Sequence, residues 1–271
     1  MGHKTLVGGT AYDISGGKVL VGGTAYGIKK GRTLVGGAGY DVSFVTPLSD
    51  IPVGGSVFLN VDGVPKEFLV VHQGNPDSSL YDDSCDGVWL LMKDVYDTRM
   101  WDRSNNDYEN SDAHTYLNGT ILGSLDSDIQ AQVKQVKIPY HDGTGAGGSV
   151  ASGSSGLSTK LFLLSGYELG WTTSDSKYFP VDGAKLDYFT AGTDTAANNL
   201  RICYIRSGVV EDRTIAWWLR SPVTSGTDRT WIVQPTGDSY SKYAAPNSFG
   251  FRPALILPHD AVIDDNYNVV A

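Results

Sequence analysis

"WWLRSPVTSGTDRTWIVQPTGDSYSKYAAPNSFGFRPAL" spans Trp217 to Leu255, and its ends differ in kind from its middle. One end carries Trp217, Trp218, Leu219, Arg220 and Pro222. The other carries Gly250, Arg252, Pro253 and Leu255. Between them Thr, Ser, Asp, Arg, Gln, Lys and Tyr alternate with no fixed chemical character. In "RTWIVQPTG" the period is two, which turns Trp231 and Val233 inward and Ile232 and Gln234 outward. After the Gly237 turn, "DSYSKYAAP" leaves Tyr240, Lys242 and Tyr243 exposed. Two rigid ends thus enclose a polar segment.

Upstream, "SVFLNVDGVPKEFLVVHQG" reads as a β-hairpin. Val57, Leu59 and Val61 alternate, Asp62-Gly63 is a turn signal, and Phe68 to Val71 returns as a buried strand. Trp89 to Met92 is a further apolar strand. "NSDAHTYLNGTILGSL" predicts a helix with Ser111 or Asp112 as its cap and Tyr116, Leu117 and Ile121 on one face. "DSDIQAQVKQVKI" predicts a second, with Ile129, Val133 and Val136 at helical spacing and Pro139 as its stop. Residues 141–156 are a loop by composition, and Leu161 to Leu164 a buried strand. Residues 172–210 read as broken and turn-rich. The expected fold class is α+β, with two helices and short antiparallel strands.

The first 44 residues are a repeat. "KTLVGGTAYDISGG", "KVLVGGTAYGIKKG" and "RTLVGGAGYDVSF" align Leu6, Leu20 and Leu34, the pairs Gly8-Gly9, Gly22-Gly23 and Gly36-Gly37, and Tyr12, Tyr26 and Tyr40, at a spacing of 14. Each unit predicts two strands of ~4 residues around a Gly-Gly turn. Such a small all-β, Gly-rich module cannot bury a core alone. It is expected to pack on its own chain or on two further copies about a threefold axis, as a β-prism. The division that follows is a repeat module over 1–44, a joint over 45–55, a body over 56–260 and a tail over 261–271.

With 271 residues and a formal net charge of −9, the chain has a core-forming length and an acidic balance. Without a Lys/Arg block it is expected to bind neither nucleic acid nor an anionic membrane. No apolar run suits a signal segment or a membrane span, which predicts cytoplasmic synthesis. Cys85 and Cys203 are either one disulfide or two buried thiols, and the second is expected.

Tests for chemistry come out against an enzyme. "GTGAGG" at Gly143 to Gly148 lacks the strand and helix of a phosphate loop. His3, His72, His114, His141 and His259 show no metal-ligand spacing. "YDDSCD" at Tyr81 and "WDRSNNDYENSD" at Trp101 are acidic but lack an EF-hand pattern, and read as solvated loops. No catalytic residue, cofactor or metal is assigned.

"YLNG" at Tyr116, "LFLLSGYELGW" at Leu161, "WWLRSP" at Trp217 and "GFRPALILP" at Gly250, in this order and spacing, resemble the C-type-lectin-fold variable proteins of diversity-generating retroelements, in a branch from gut bacteria and their phages. The Gly-rich repeats are also similar to those that precede such domains. The resemblance implies a C-type lectin-like (formylglycine-generating-enzyme-like) body. It also implies a ligand-binding display protein whose window, about 217–255, is rewritten at adenines. Trp217, Trp218, Arg220, Pro222, Gly250, Arg252 and Pro253 would be the fixed frame. Thr227, Asp228, Arg229, Ile232, Gln234, Thr236, Asp238, Tyr240, Lys242 and Tyr243 would be the variable contacts. It further implies a homotrimeric phage tail-fibre receptor-binding protein, located in the virion and recognising a bacterial cell-surface protein or glycan. The alternative is a calcium-dependent carbohydrate-binding lectin or a carbohydrate-active enzyme. Against that alternative, "QPT" at Gln234 has Thr236 where lectins of this fold carry a carboxylate. No reactive Cys pair of the formylglycine-generating type lies near the window.

Overall fold

The Ser56–Val61 and Val64–Gln73 strands pair in register from Val61↔Val64 to Ser56↔Leu69. Their turn places Asp62 at φ 52° and Gly63 at φ 72°. Positive φ at both central residues is the two-residue turn whose twist matches that of the strands it joins. Val57, Leu59 and Val61 point into the core and their neighbours do not, as alternation requires.

This hairpin is one side of a five-stranded antiparallel sheet in a computed structural model. The structure describes residues 46–205 and 213–270 and, before them, the backbone of six strands. The order across the sheet is Leu161–Phe162, Ala254–Leu257, Val88–Met92, Val64–Gln73, Ser56–Val61. Val88–Met92 and Ala254–Leu257 are buried throughout, so they are apolar at every position rather than at alternate ones. A second five-stranded sheet runs Thr98–Arg99, Phe249–Gly250, Trp217–Pro222, Arg229–Val233, Ser239–Tyr243. Residues 217–255 thus supply four of this sheet's strands, and Ser239–Tyr243 is its edge.

The molecule is α+β with three helical segments among the described residues. The first covers residues 112–124 and has a π-helical middle, Leu117–Ile121. Ser111 caps it by accepting from the His114 N–H, and Leu117 and Ile121 are buried, as the spacing predicts. The second, Ser127–Gln132, is shorter than expected. Val136–Ile138 pairs instead with Leu157–Thr159. Val136 fits a helical and an extended period equally, and the sheet partner decides. The third, Thr195–Arg201, is capped by Asp194 and lies in a stretch read as turns. Tyr140–His141 and Val150–Ala151 pair within the glycine-rich stretch read as loop.

The ends of the body are folded in. Leu48 and Ile51 of the expected joint are buried, as are Ile263 and Val269 of the expected tail. Val262–Ile263 pairs with both Val269–Val270 and Thr46–Pro47, and Leu48, Ile51, Ile263 and Val269 join the common core.

In the repeats, Lys4–Val7 pairs with Thr10–Asp13, Lys18–Val21 with Thr24–Gly27, and Lys30–Val35 with Ala38–Ser43. Leu6↔Ala11, Leu20↔Ala25 and Leu34↔Gly39 are equivalent pairs, so the sequence repeat is a repeat of register. The expected Gly-Gly turns (Gly8-Gly9, Gly22-Gly23, Gly36-Gly37) lie outside the described residues.

Candidate functional site

The frame of the C-terminal window is held by a buried ion pair. Arg220 donates from Nη1 to Glu168 Oε2 at 2.6 Å and from Nη2 to Glu168 Oε1 at 2.8 Å, with both side chains fully buried. The same guanidinium donates to the carbonyls of Pro139, Leu163 and Asp182. Glu168 also accepts from the Tyr81 hydroxyl and the Ser165 N–H. A buried pair stabilises a fold only when its remaining donors and acceptors are met, as they are here. Arg220 therefore ties the Trp217–Pro222 strand to three segments remote in sequence, at Pro139, Leu163–Glu168 and Asp182.

Trp217, Trp218 and Arg252 are each fixed by a hydrogen bond to the carbonyl of another segment. Trp217 Nε1 donates to the Arg201 carbonyl, and Trp218 Nε1 to that of Arg99. Arg252 donates from Nε to the Met92 carbonyl, and its guanidinium lies 5.0 Å from the Trp217 ring centre. Trp217, Trp218, Arg220, Pro222, Gly250, Arg252 and Pro253 are all buried.

Outside this frame, the ten expected contact residues fall into three groups rather than one face. Thr227, Asp228, Arg229 and Tyr243 are exposed together at the open end of the Arg229–Val233/Ser239–Tyr243 hairpin. Arg229 donates from Nη2 to the Tyr243 hydroxyl at 2.7 Å and lies over its ring at 4.3 Å. The loop they stand on is gripped through its backbone. Buried Asn106 donates from Nδ2 to the carbonyls of Gly226 and Arg229, and its N–H donates to the Thr227 carbonyl. The Ala244 N–H donates to the Asp228 carbonyl. The side chains at these positions take no part in that grip.

Gln234, Tyr240 and Lys242 line a groove of about 670 Å³ on the opposite face, with Arg213, Thr98 and Phe249. Alternation puts Tyr240 and Lys242 on one side of the edge strand and Tyr243 on the other. The Lys242 Nζ sits 5.0 Å from the Tyr240 ring. Ile232 is not a surface residue. It is 2 % exposed and forms part of the wall of this groove, in register between Trp218 and Tyr240. A period-two reading assumes that one face of a strand meets water. This strand has a neighbour on each side and cover on both faces, so Trp231, Ile232 and Val233 are buried in succession.

Thr236 and Asp238 form the tight turn at the hairpin's closed end. Asp238 accepts from Asn198 Nδ2 and from the Thr236 hydroxyl. Between them Gly237 has φ +86°, and a Cβ there would meet the Asn198 carbonyl at 2.1 Å. Only glycine suits that turn. Asp238 is therefore half-buried and joined to the Thr195–Arg201 helix, and is an anchor as much as a contact.

Beneath the hairpin runs an aromatic stack. Trp231 lies 3.9 Å from Phe179 between ring centres, Phe179 lies 5.9 Å from Trp171, and Arg201 covers Trp171 at 4.5 Å. The residues that sequence reasoning missed are those supporting the window from afar: Asn106, Glu168, Asn198 and Arg201. Asn106 sat within a stretch read as an acidic loop, and no local signal marks it.

Other titratable groups lie outside the window. The Asp102 carboxylate accepts from the backbone N–H groups of Ser104, Asn105 and Asp112, which together hold it below the usual carboxylate range against its own burial. Cys85 and Cys203 are buried, unpaired thiols, and burial pushes Cys85 up to about 12. Among the described residues, no group of three His, Cys, Asp or Glu side chains is arranged to hold a metal ion. No helix among them is long and apolar enough to cross a membrane.

No curated protein and no solved structure matches the chain. One family model does, over residues 86–259. The match begins before the Val88–Met92 strand and ends past Ala254–Leu257, so it takes in Asn106, Glu168, Arg220 and the whole C-terminal hairpin. It covers more than half of the 271 residues, and the chain belongs to the family described as Domain of unknown function (DUF6273).

Proposed function

We propose that this protein is a ligand-binding display protein with a C-type lectin-like body, whose C-terminal window is diversified by a retroelement. In this reading it is a phage tail-fibre receptor-binding protein that engages a bacterial surface molecule. The observation that carries the proposal is the sharp division of the window. Residues of the frame are buried and hydrogen-bonded to distant segments. Thr227, Asp228, Arg229 and Tyr243 stand exposed on a backbone fixed by Asn106. Exposed substitutions usually change stability by no more than about 0.5 kcal/mol, whereas core truncations cost about 2–5 kcal/mol. A surface that must accept many side chains needs this separation. Arg and Tyr are also residues that concentrate binding energy at interfaces.

The deciding experiment is at the nucleotide level. Diversification predicts a near copy of the segment encoding Thr214 to Leu255 close to the gene and beside a reverse transcriptase gene. It should differ from the coding segment only where the copy has adenine. Differences at the codons for Thr227, Asp228, Arg229, Tyr240, Lys242 and Tyr243, with none at those for Trp217, Arg220 or Arg252, are expected. A complete locus without such a copy overturns the retroelement reading.

A further inference from the structure

A second groove, of about 640 Å³, is lined in part by Thr224 and Ser225 and shares no residue with the hairpin groove. Its lining includes His141, Gly148, Tyr178, Val181 and Ser225. His141 is only 5 % exposed. The Gly143 N–H donates to its Nδ1 at 3.0 Å. Nδ1 is therefore an acceptor, and in the neutral ring the proton sits on Nε2. Burial lowers the affinity of this ring for a second proton, although Asp142 opposes the effect. Nε2 has no partner among the described residues, so a buried imidazole presents one free N–H to the groove.

Gly148 keeps that edge open. Its backbone is extended, at φ −75° and ψ 166°, which any residue can adopt. A Cβ there would lie 2.3 Å from His141 Cε1, 2.4 Å from Asp142 Oδ1 and 2.9 Å from His141 Nε2. Glycine is required by the closeness of the imidazole and the Asp142 carboxylate and not by the chain's conformation. Across the groove, Tyr178 and Val181 are large side chains left 39 % and 47 % exposed. Their loop is pinned, because the Tyr178 carbonyl accepts from the Thr224 N–H and from Trp231 Nε1.

We propose that this groove binds one hexopyranose unit of a glycan. A sugar oxygen accepts from His141 Nε2–H, the C–H face of the ring lies on Tyr178 and Val181, and the Ser225 hydroxyl meets a second oxygen. The volume lies within the range of small-molecule sites, about 300–1,000 Å³. An apolar wall facing a few fixed polar groups is also usual for such sites. Lys177, which lines the same groove with its Nζ 5.1 Å from the Tyr178 ring centre, must swing off that ring as the sugar lands and then adds an attraction for a carboxylated sugar. The assignment names a ligand class for the display reading, but it stands on residues outside the hairpin and does not need diversification.

The test is an NMR titration of the full chain, observing the His141 side-chain nitrogens. The probes are the methyl glycosides of glucose and galactose, N-acetylglucosamine, and glucuronic and galacturonic acids. A saturable, millimolar shift of Nε2 with any of them is expected. Tyr178→Ala should weaken the response about tenfold, the loss of roughly one good contact. Gly148→Ala should abolish it. Alanine at Thr227, Asp228, Arg229 and Tyr243 together should leave it unchanged. If no sugar in the panel moves Nε2, or if Tyr178→Ala binds as the parent does, the assignment is wrong, whatever the hairpin proves to bind.

Discussion

Asp182 is the residue at which burial and charge conflict most openly. Its Oδ2 accepts from the Ser221 hydroxyl at 2.8 Å, while its Oδ1 is buried with no partner. Burial pushes this carboxyl up to about 7, against the pull of Arg220 and the Ser221 hydrogen bond. The folded chain therefore holds a proton on Asp182 between about pH 4 and pH 7, where the unfolded chain has released it. Stability contributed by this group is fully present below the ordinary carboxylate range and is lost as pH rises towards 7. Asp77, Asp82, Asp102, Asp142 and Asp264 are held low by hydrogen bonds instead. Their contributions disappear only as pH falls below about 4. Asp182→Asn removes the first effect and leaves the others. The Tm difference between variant and parent should favour the variant progressively from pH 4 to pH 7 and stay constant above. A difference that does not change with pH would mean that Asp182 is ionised throughout.

At the scale of the element, the hairpin of the window separates two kinds of residue a few positions apart. Ile232→Ala should cost about 2–5 kcal/mol, since it opens a cavity beside Trp218. Thr227, Asp228, Arg229 and Tyr243, changed together to alanine, should cost no more than about 2 kcal/mol in all, on the exposed-site scale. Denaturant unfolding of the two variants gives the comparison directly, and a larger loss from the surface set would join those side chains to the core. The same strand shows what the sequence could carry. The Asp62-Gly63 hairpin was legible because alternation and turn chemistry agreed. The cap of the 112–124 helix was legible because Ser111 immediately precedes an apolar face. Ile232 was not, because its register partners Trp218 and Tyr240 lie on flanking strands that the chain brings beside it only when folded. The Thr195–Arg201 helix was missed for a related reason. Its buried residues include Asn198 and Arg201, whose partners are Asp238 and the carbonyls of Leu169 and Thr190. A helix that buries hydrogen-bonded polar groups has no apolar stripe to read.

For the whole molecule, the three repeat hairpins need cover from beyond themselves. Each pairs two strands of four to six residues. A lone hairpin of that size is marginal in water, and three or more strands with a shared apolar face are needed for independent stability. The common register of Leu6, Leu20 and Leu34 recurs every 14 residues, which suits stacking of like units along an axis better than docking on an irregular surface. Three chains about that axis would close such a stack and would present three C-terminal windows side by side. Weak single-site binding to a repeated surface molecule would then be reinforced by avidity. Light scattering of the full chain at micromolar concentration should give three times the chain mass. Deletion of residues 1–44 should return a monomer whose body melts as before, because the frame from Leu48 to Val269 has its own core. A full-length monomer would place the repeats on their own body and would leave the window to bind one site at a time. In that case affinity for a multivalent surface should match affinity for a single soluble ligand.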